Sequence, residues 1–246
     1  MSPLTLGGSA EKVPEEFGEL LHQLGARPHP ALVHYDGSAA ADAETSRIEL
    51  SGRVLANWAT KLIGLLVDEH DLSTEDVVLV DMVPHWKAAA VALAAGSSGA
   101  EVRLRGGHAS GAYEEPSLVV TDRPLEWVNG DDLGDAELVA VSLGMLDGSF
   151  QEATGQQLPG WVTDVSAEAR QYPDQLMAPL ASVALPDAGS ENVDSPLILR
   201  EWDSDSFSKM LGTWAAGGVV VLYQGSADGE LWQRMLRNEG VSELGL

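Results

Sequence analysis

Few residues in this chain have the type and spacing to do chemistry, and most of them lie in one short stretch. Arg103, Arg105, Gly106, Gly107, His108, Ser110 and Gly111 bring two arginines, a histidine and flexible glycines within nine residues. Guanidinium groups grip carboxylates and phosphates through paired N–H donors, and glycine-rich backbone offers N–H groups of its own. This stretch is therefore a candidate site for a small anionic ligand. The competing reading is a strand end whose arginines pair with neighbouring acids and whose glycines only turn the chain. A second candidate is His85 in Pro84-His85-Trp86. It follows an apolar strand, at the end where parallel sheets place ligands, and an imidazole there can donate or accept a proton near neutral pH. The alternative is that Pro84 opens a helix, Trp86 packs in the core and His85 caps the first turn.

Other catalytic patterns fail on spacing. Gly96-Ser97-Ser98-Gly99 is one residue short of a nucleophile elbow. His22, His29 and His34 are seven and five residues apart, which is not the spacing of metal ligands, and no metal site is expected. With no cysteine in the chain, disulfides and thiolate chemistry are excluded. No residue stands out as catalytic.

The elements that must position these groups alternate between helix and strand. Residues 14–25 read as a helix, Ala31–Tyr35 as a strand, and Arg47–Leu50 as its hairpin partner. Ser51 is a good N-cap for a helix over 52–70, with an apolar stripe of Val54, Leu55, Trp58, Ala59, Leu62, Ile63 and Leu66. Strand 77–81, an Ala-rich helix 85–97 and strand 100–105 follow. Two apolar strands are expected at 117–121 and 138–143, and one helix near 166–171. Beyond an exposed connection at 186–195, strand 196–200, a helix to Ala216, strand 219–223 and helix 227–239 complete the pattern. The alternation predicts an α/β fold of largely parallel sheets flanked by helices. Four pieces are expected to pack as one compact domain: a helical segment 1–27, a first βα lobe 28–122, an irregular connection 123–195 and a second βα lobe 196–246.

Composition limits the partners. The 44% apolar residues are ordinary for a globular protein. Fourteen basic against 38 acidic residues give a net charge of −24, a field that repels nucleic acid and anionic membranes. The longest apolar run, Ala88–Ala95, is eight residues, far below the ~20 that span a bilayer. The first residues lack the basic and apolar regions of a signal peptide, so a cytoplasmic location is expected.

The stretch 50–104, with its helix, polar turn, Val-rich strand, Ala-rich helix and second strand, resembles the start of the adenylate-forming (AMP-binding, acyl-CoA synthetase-like) enzymes. So does Pro196–Arg200 leading to Gly217-Gly218-Val219-Val220-Val221-Leu222 and Glu239-Gly240-Val241-Ser242. Over most of its length the chain is similar to actinobacterial proteins of unassigned function that share this pattern without the nucleotide loop. The resemblance implies the fold of a truncated N-terminal domain of such an enzyme, and ATP, AMP or CoA as ligands to consider.

The family's chemistry is not carried over. Its phosphate loop is rich in Ser, Thr and Gly and ends in Pro-Lys-Gly. The four lysines here, Lys12, Lys61, Lys87 and Lys209, lie in no such cluster. The segments Asp147–Phe150 and Asp187–Glu191 are acidic instead. The Tyr-Gly-x-Thr-Glu motif and the C-terminal lid domain are also missing. The expectation is a non-catalytic relative, a pseudoenzyme that binds a ligand or a protein and could assemble with itself or a partner. The alternative is an AMP-binding or acyl-CoA ligase-like enzyme with a rewired site or in need of a partner chain.

Overall fold

The computed structural model describes residues 12–37, 47–105, 115–187 and 195–241. Its framework is a pair of sheets with helices between and outside them. The first sheet contains β1 (Pro30–Asp36), β2 (Arg47–Ser51), β8 (Leu197–Leu199) and β9 (Val220–Gln224), in the order β2-β1-β9-β8. The second contains β3 (Val77–Asp81), β4 (Glu101–Arg105), β5 (Leu118–Thr121), β6 (Glu137–Ala140) and β7 (Thr163–Asp164), in the order β4-β3-β5-β6-β7. Among the described strand pairs, β1 with β2 alone is antiparallel. The expected α/β class with largely parallel sheets is what the chain forms.

Periodicity explains the layers. Strand side chains alternate between faces, so a strand covered on both sides reads as an unbroken apolar run. In β3, Val78 and Val80 face inward while Leu79 and Asp81 face outward; in β1, Leu32 and His34 face inward while Val33 and Tyr35 face outward. Between the sheets lie α1 (Phe17–Ala26), α2 (Gly52–His70), α3 (Trp86–Ser97) and α7 (Ser206–Ala215). Every residue of α3 is buried, which its run of alanines permits because backbones can then approach closely. Outside, α8 (Glu230–Asn238) covers the first sheet with Trp232, Met235 and Leu236. The second sheet is covered by α4 (Pro124–Asn129) and α5 (Phe150–Thr154) through Trp127 and Phe150.

Helix α2 starts where expected: the Ser51 side chain accepts from the Val54 N–H at 3.3 Å. It stops at Asp71, whose left-handed φ of 48° ends the helical path. The apolar stripe is narrower than its sequence pattern. Leu55, Ala59, Leu62, Ile63 and Leu66 are buried, but Val54 is 40% exposed and Trp58 lies only partly inside.

The sheets cut across the expected lobes. Strands β1 and β2, from the first stretch, share a sheet with β9 and β8 from the last, joined by the β1–β9 pairing. Residues 123–195, read as an irregular connection, supply β6, β7, α4, α5 and α6 (Val165–Glu168) to the second sheet's neighbourhood. Elements of two to six residues are too short for a period to register. None of the described helices is long and apolar enough to cross a membrane.

Candidate functional site

At the carboxyl end of β3, Asp81 is buried and faces outward beneath α4. Its register partner on β4 is Arg105, whose Nε donates to one carboxylate oxygen at 3.0 Å. The other oxygen accepts from Trp127 Nε1 at 2.9 Å and lies 3.1 Å from a terminal nitrogen of Arg123. Arg105 also lies over the Trp127 ring, 4.8 Å from its centroid. Arg123 meets Asp122 at 3.2 Å and Glu126 at 3.3 Å as well. Burial holds the Asp122 carboxyl above its ordinary range, although the Arg123 charge opposes this. Carboxylate, guanidinium and indole thus satisfy one another, as buried charges must.

Arg103, two residues back on the same strand face, donates to Glu101 at 2.8 Å. Both arginines singled out in the sequence are therefore engaged by carboxylates of the chain itself. His108, the third member of that stretch, lies outside the described residues.

His85 stands on the inward side of the same sheet end. It is the N-cap of α3, and its Nδ1 accepts from the Lys87 N–H at 3.2 Å. Its ring is buried and meets the ring of His34, from the first sheet, edge to face. Neither ring nitrogen of His34 has a hydrogen-bond partner among the described residues. Burial drives both imidazoles toward the neutral form: His34 is pushed down to about 4, and His85 lies well below its ordinary value.

Lys87 completes this inner cluster. It is buried, and its Nζ donates to the backbone oxygens of Ser142 at 2.6 Å and Gly144 at 2.7 Å, just past β6. Loss of hydration lowers the ammonium to about 8. Ser142 Oγ lies 2.6 Å from Ser166 Oγ, and Asp164 caps the short α6 that carries Ser166. The cluster joins the middle of β1 to the carboxyl ends of β3 and β6. The ammonium spends two of its three donors on backbone oxygens, and both histidine rings are buried.

Sequence reasoning found His85 and its capping alternative, but missed His34 and Lys87. Lys87 carried a legible signal: it sits one residue into a helix whose next eight residues are apolar. A cation there must be buried and partnered. His34 had only its place in the centre of an apolar strand. Among the described residues no group of three or more His, Asp or Glu side chains could hold a metal ion.

No family model matches the chain. The crystal structure of Brucella canis acyl-CoA synthetase superposes with a TM-score of 0.69 at 16% identity, over 96% of this chain and 48% of that one. The chain has the fold of about half of that acyl-CoA synthetase. A luciferase-like enzyme from the nonluminescent mealworm Zophobas morio superposes with a TM-score of 0.60 at 13% identity, over 93% of this chain and 59% of that one. A Mycobacterium tuberculosis protein described as a TIGR03089 family protein is 35% identical over 150 residues, 60% of this chain and 56% of that protein. The chain spans about half the length of the proteins it matches. The resemblance read in residues 50–104 and 196–242 thus agrees with the fold of these enzymes.

Proposed function

We propose that the chain is a non-catalytic relative of the adenylate-forming enzymes and works as a ligand- or protein-binding module. The observation that carries this reading is the engagement of Lys87, Arg105 and Arg123, the cations at the carboxyl ends of the second sheet. Each is held by a carbonyl or carboxylate of the chain itself. Adenylation requires positive groups and backbone donors aimed at phosphate oxygens as pyrophosphate leaves, and removing one such donor typically costs ~10²–10³ in rate. The segment after β6, Leu143-Gly144-Met145-Leu146-Asp147-Gly148-Ser149, has no basic residue to supply one. The fold supplies the scaffold of such an enzyme, and the polar groups within it serve packing.

The test is ATP–pyrophosphate exchange on the full chain with a panel of fatty and amino acids. The expected signal equals that of a no-protein control. Exchange above that control with any acid overturns the reading.

A further inference from the structure

The second half of α2 turns one face toward residues 172–181, which cross it as an extended strap. The strap is pinned at both ends. At one end Lys61 Nζ donates to the Tyr172 backbone oxygen at 2.5 Å, and the Tyr172 hydroxyl donates to Glu69 at 2.9 Å. The Tyr172 ring lies against Gly64, where a Cβ would come within 2.7 Å of it. At the other end, the Phe17 N–H donates to the Val183 oxygen at 3.0 Å and the Leu185 N–H to the Glu15 oxygen at 2.8 Å. Between these anchors, residues 173–181 make no hydrogen bond to the rest of the described chain.

Beneath the strap is a cavity of about 270 Å³. Ile63, Val67, Leu72, Leu176 and Leu180 supply most of its apolar wall. That volume lies just below the usual range of ligand cavities, roughly 300 to 1,000 Å³, and suits a small ligand. The strap also leaves large apolar side chains in water: Met177 is 87% exposed and Leu176 40%, with Val67 of α2 at 40%. Exposed apolar groups gathered on one cavity mark a binding surface, because an apolar occupant would remove them from water. The chemistry of the wall selects the occupant. None of the residues lining the cavity is basic, the neighbouring Lys61 being bound to the Tyr172 oxygen, and Asp68 is the lining residue that carries charge. A carboxylate or phosphate would meet no counter-charge there in a chain of net charge −24, whereas an ammonium would meet a carboxylate.

We propose that the cavity under residues 173–181 binds a small, largely apolar molecule that carries an amine, with the apolar body beneath the strap and the amine toward Asp68. This gives a site and a ligand class to the binding-module reading, on which it rests.

The test is calorimetric titration of the full chain with 4-phenylbutylamine, 4-phenylbutanol and 4-phenylbutyrate, paired with amide hydrogen exchange. The amine should bind about threefold more tightly than the alcohol, as one exposed charge pair allows, and the acid most weakly. Amides of residues 175–181 should exchange more slowly with the amine bound. Val67→Trp fills the cavity from an exposed position and should abolish binding; Ala178→Trp blocks it from the strap and should do the same. Asp68→Asn should bring amine and alcohol to equal affinity. The proposal is overturned if the amine fails to bind, if the alcohol or the acid matches it in the parent, or if both Trp variants bind as the parent does. Failure here with pyrophosphate exchange still at background removes this site alone. Exchange above background removes the binding-module reading, whatever the titrations give.

Discussion

The imidazoles of His34 and His85 meet edge to face, with ring centroids 4.4 Å apart and an interplanar angle of 71°. One comes from β1 of the first sheet, the other from the turn after β3 of the second. Among the described residues the two sheets share no hydrogen-bonded strand pair, so this contact is one of the places where they are held together. It works only while both rings are neutral. His85 is flanked by the Lys87 charge and uses its Nδ1 as an acceptor; His34 has no acceptor for an added proton among the described residues, while the more distant Asp36 favours one.

Acid should therefore loosen the molecule. His34 is pushed down to about 4 in the folded chain, below the ordinary value of 6.5 that it regains on unfolding. The unfolded state then binds more protons between those values, so stability is intact above about pH 6.5 and falls as pH drops toward 4. Between pH 7.5 and 5, His34 alone accounts for about 2 kcal/mol of that loss. Urea melts at pH 7.5 and 5 read it. His34→Phe should flatten the pH dependence, and a variant with the parent's slope would show that the loss arises elsewhere.

Asp81→Asn should cost about 2–3 kcal/mol at neutral pH, below the full price of breaking a wholly buried pair because Arg105 and Arg123 keep some solvent contact. The amide oxygen can still accept from Trp127, so the loss isolates the two cations left without their carboxylate. Chemical denaturation of the variant, with and without a compensating Arg123→Met, measures it. The double variant should recover part of the stability. No recovery would place the damage outside this pair.

How far such groups can be read from sequence depends on element length and on what a side chain touches. Helix α2 was legible from Ser51 to His70 because nineteen residues show their period and cap plainly. Strand β7 was not, because two residues have no period. Arg105 was legible as one half of an anion site or an ion pair, but its partner Asp81 lies 24 residues earlier and meets it only through strand register. His34 was the hardest to place. What defines it is a ring from the other sheet, 51 positions away in the chain and marked by no motif.

Trp58 and Trp86 provide a graded test of the core. Their rings lie 5.2 Å apart at 64°, with Trp86 fully buried and Trp58 half inside. Trp86→Ala should cost about 4 kcal/mol, the usual range for deleting a buried large aromatic, and Trp58→Ala about 2 kcal/mol because its outer edge is already in water. Equal losses in urea melts would mean that the two rings are equally buried in solution.

Lys87 gives the opposite pH signature to His34 at the alkaline end. Burial lowers its ammonium to about 8, against 10.5 when unfolded. Between those values the unfolded state holds the proton more firmly, so stability gains from Lys87 as pH rises through this window. Tyrosine ionisation also acts at alkaline pH, and it is removed by comparison with Lys87→Met, which keeps the side-chain length and leaves every tyrosine in place. From pH 7.5 to 10 the parent should gain about 2 kcal/mol relative to this variant. At pH 7.5 the two should lie close together. The variant sheds the cost of a buried cation but leaves the Ser142 and Gly144 oxygens without their donor. Paired urea melts at the two pH values decide it. Parallel behaviour would mean that Lys87 titrates as an exposed lysine and does not hold the Ser142–Gly144 backbone onto α3.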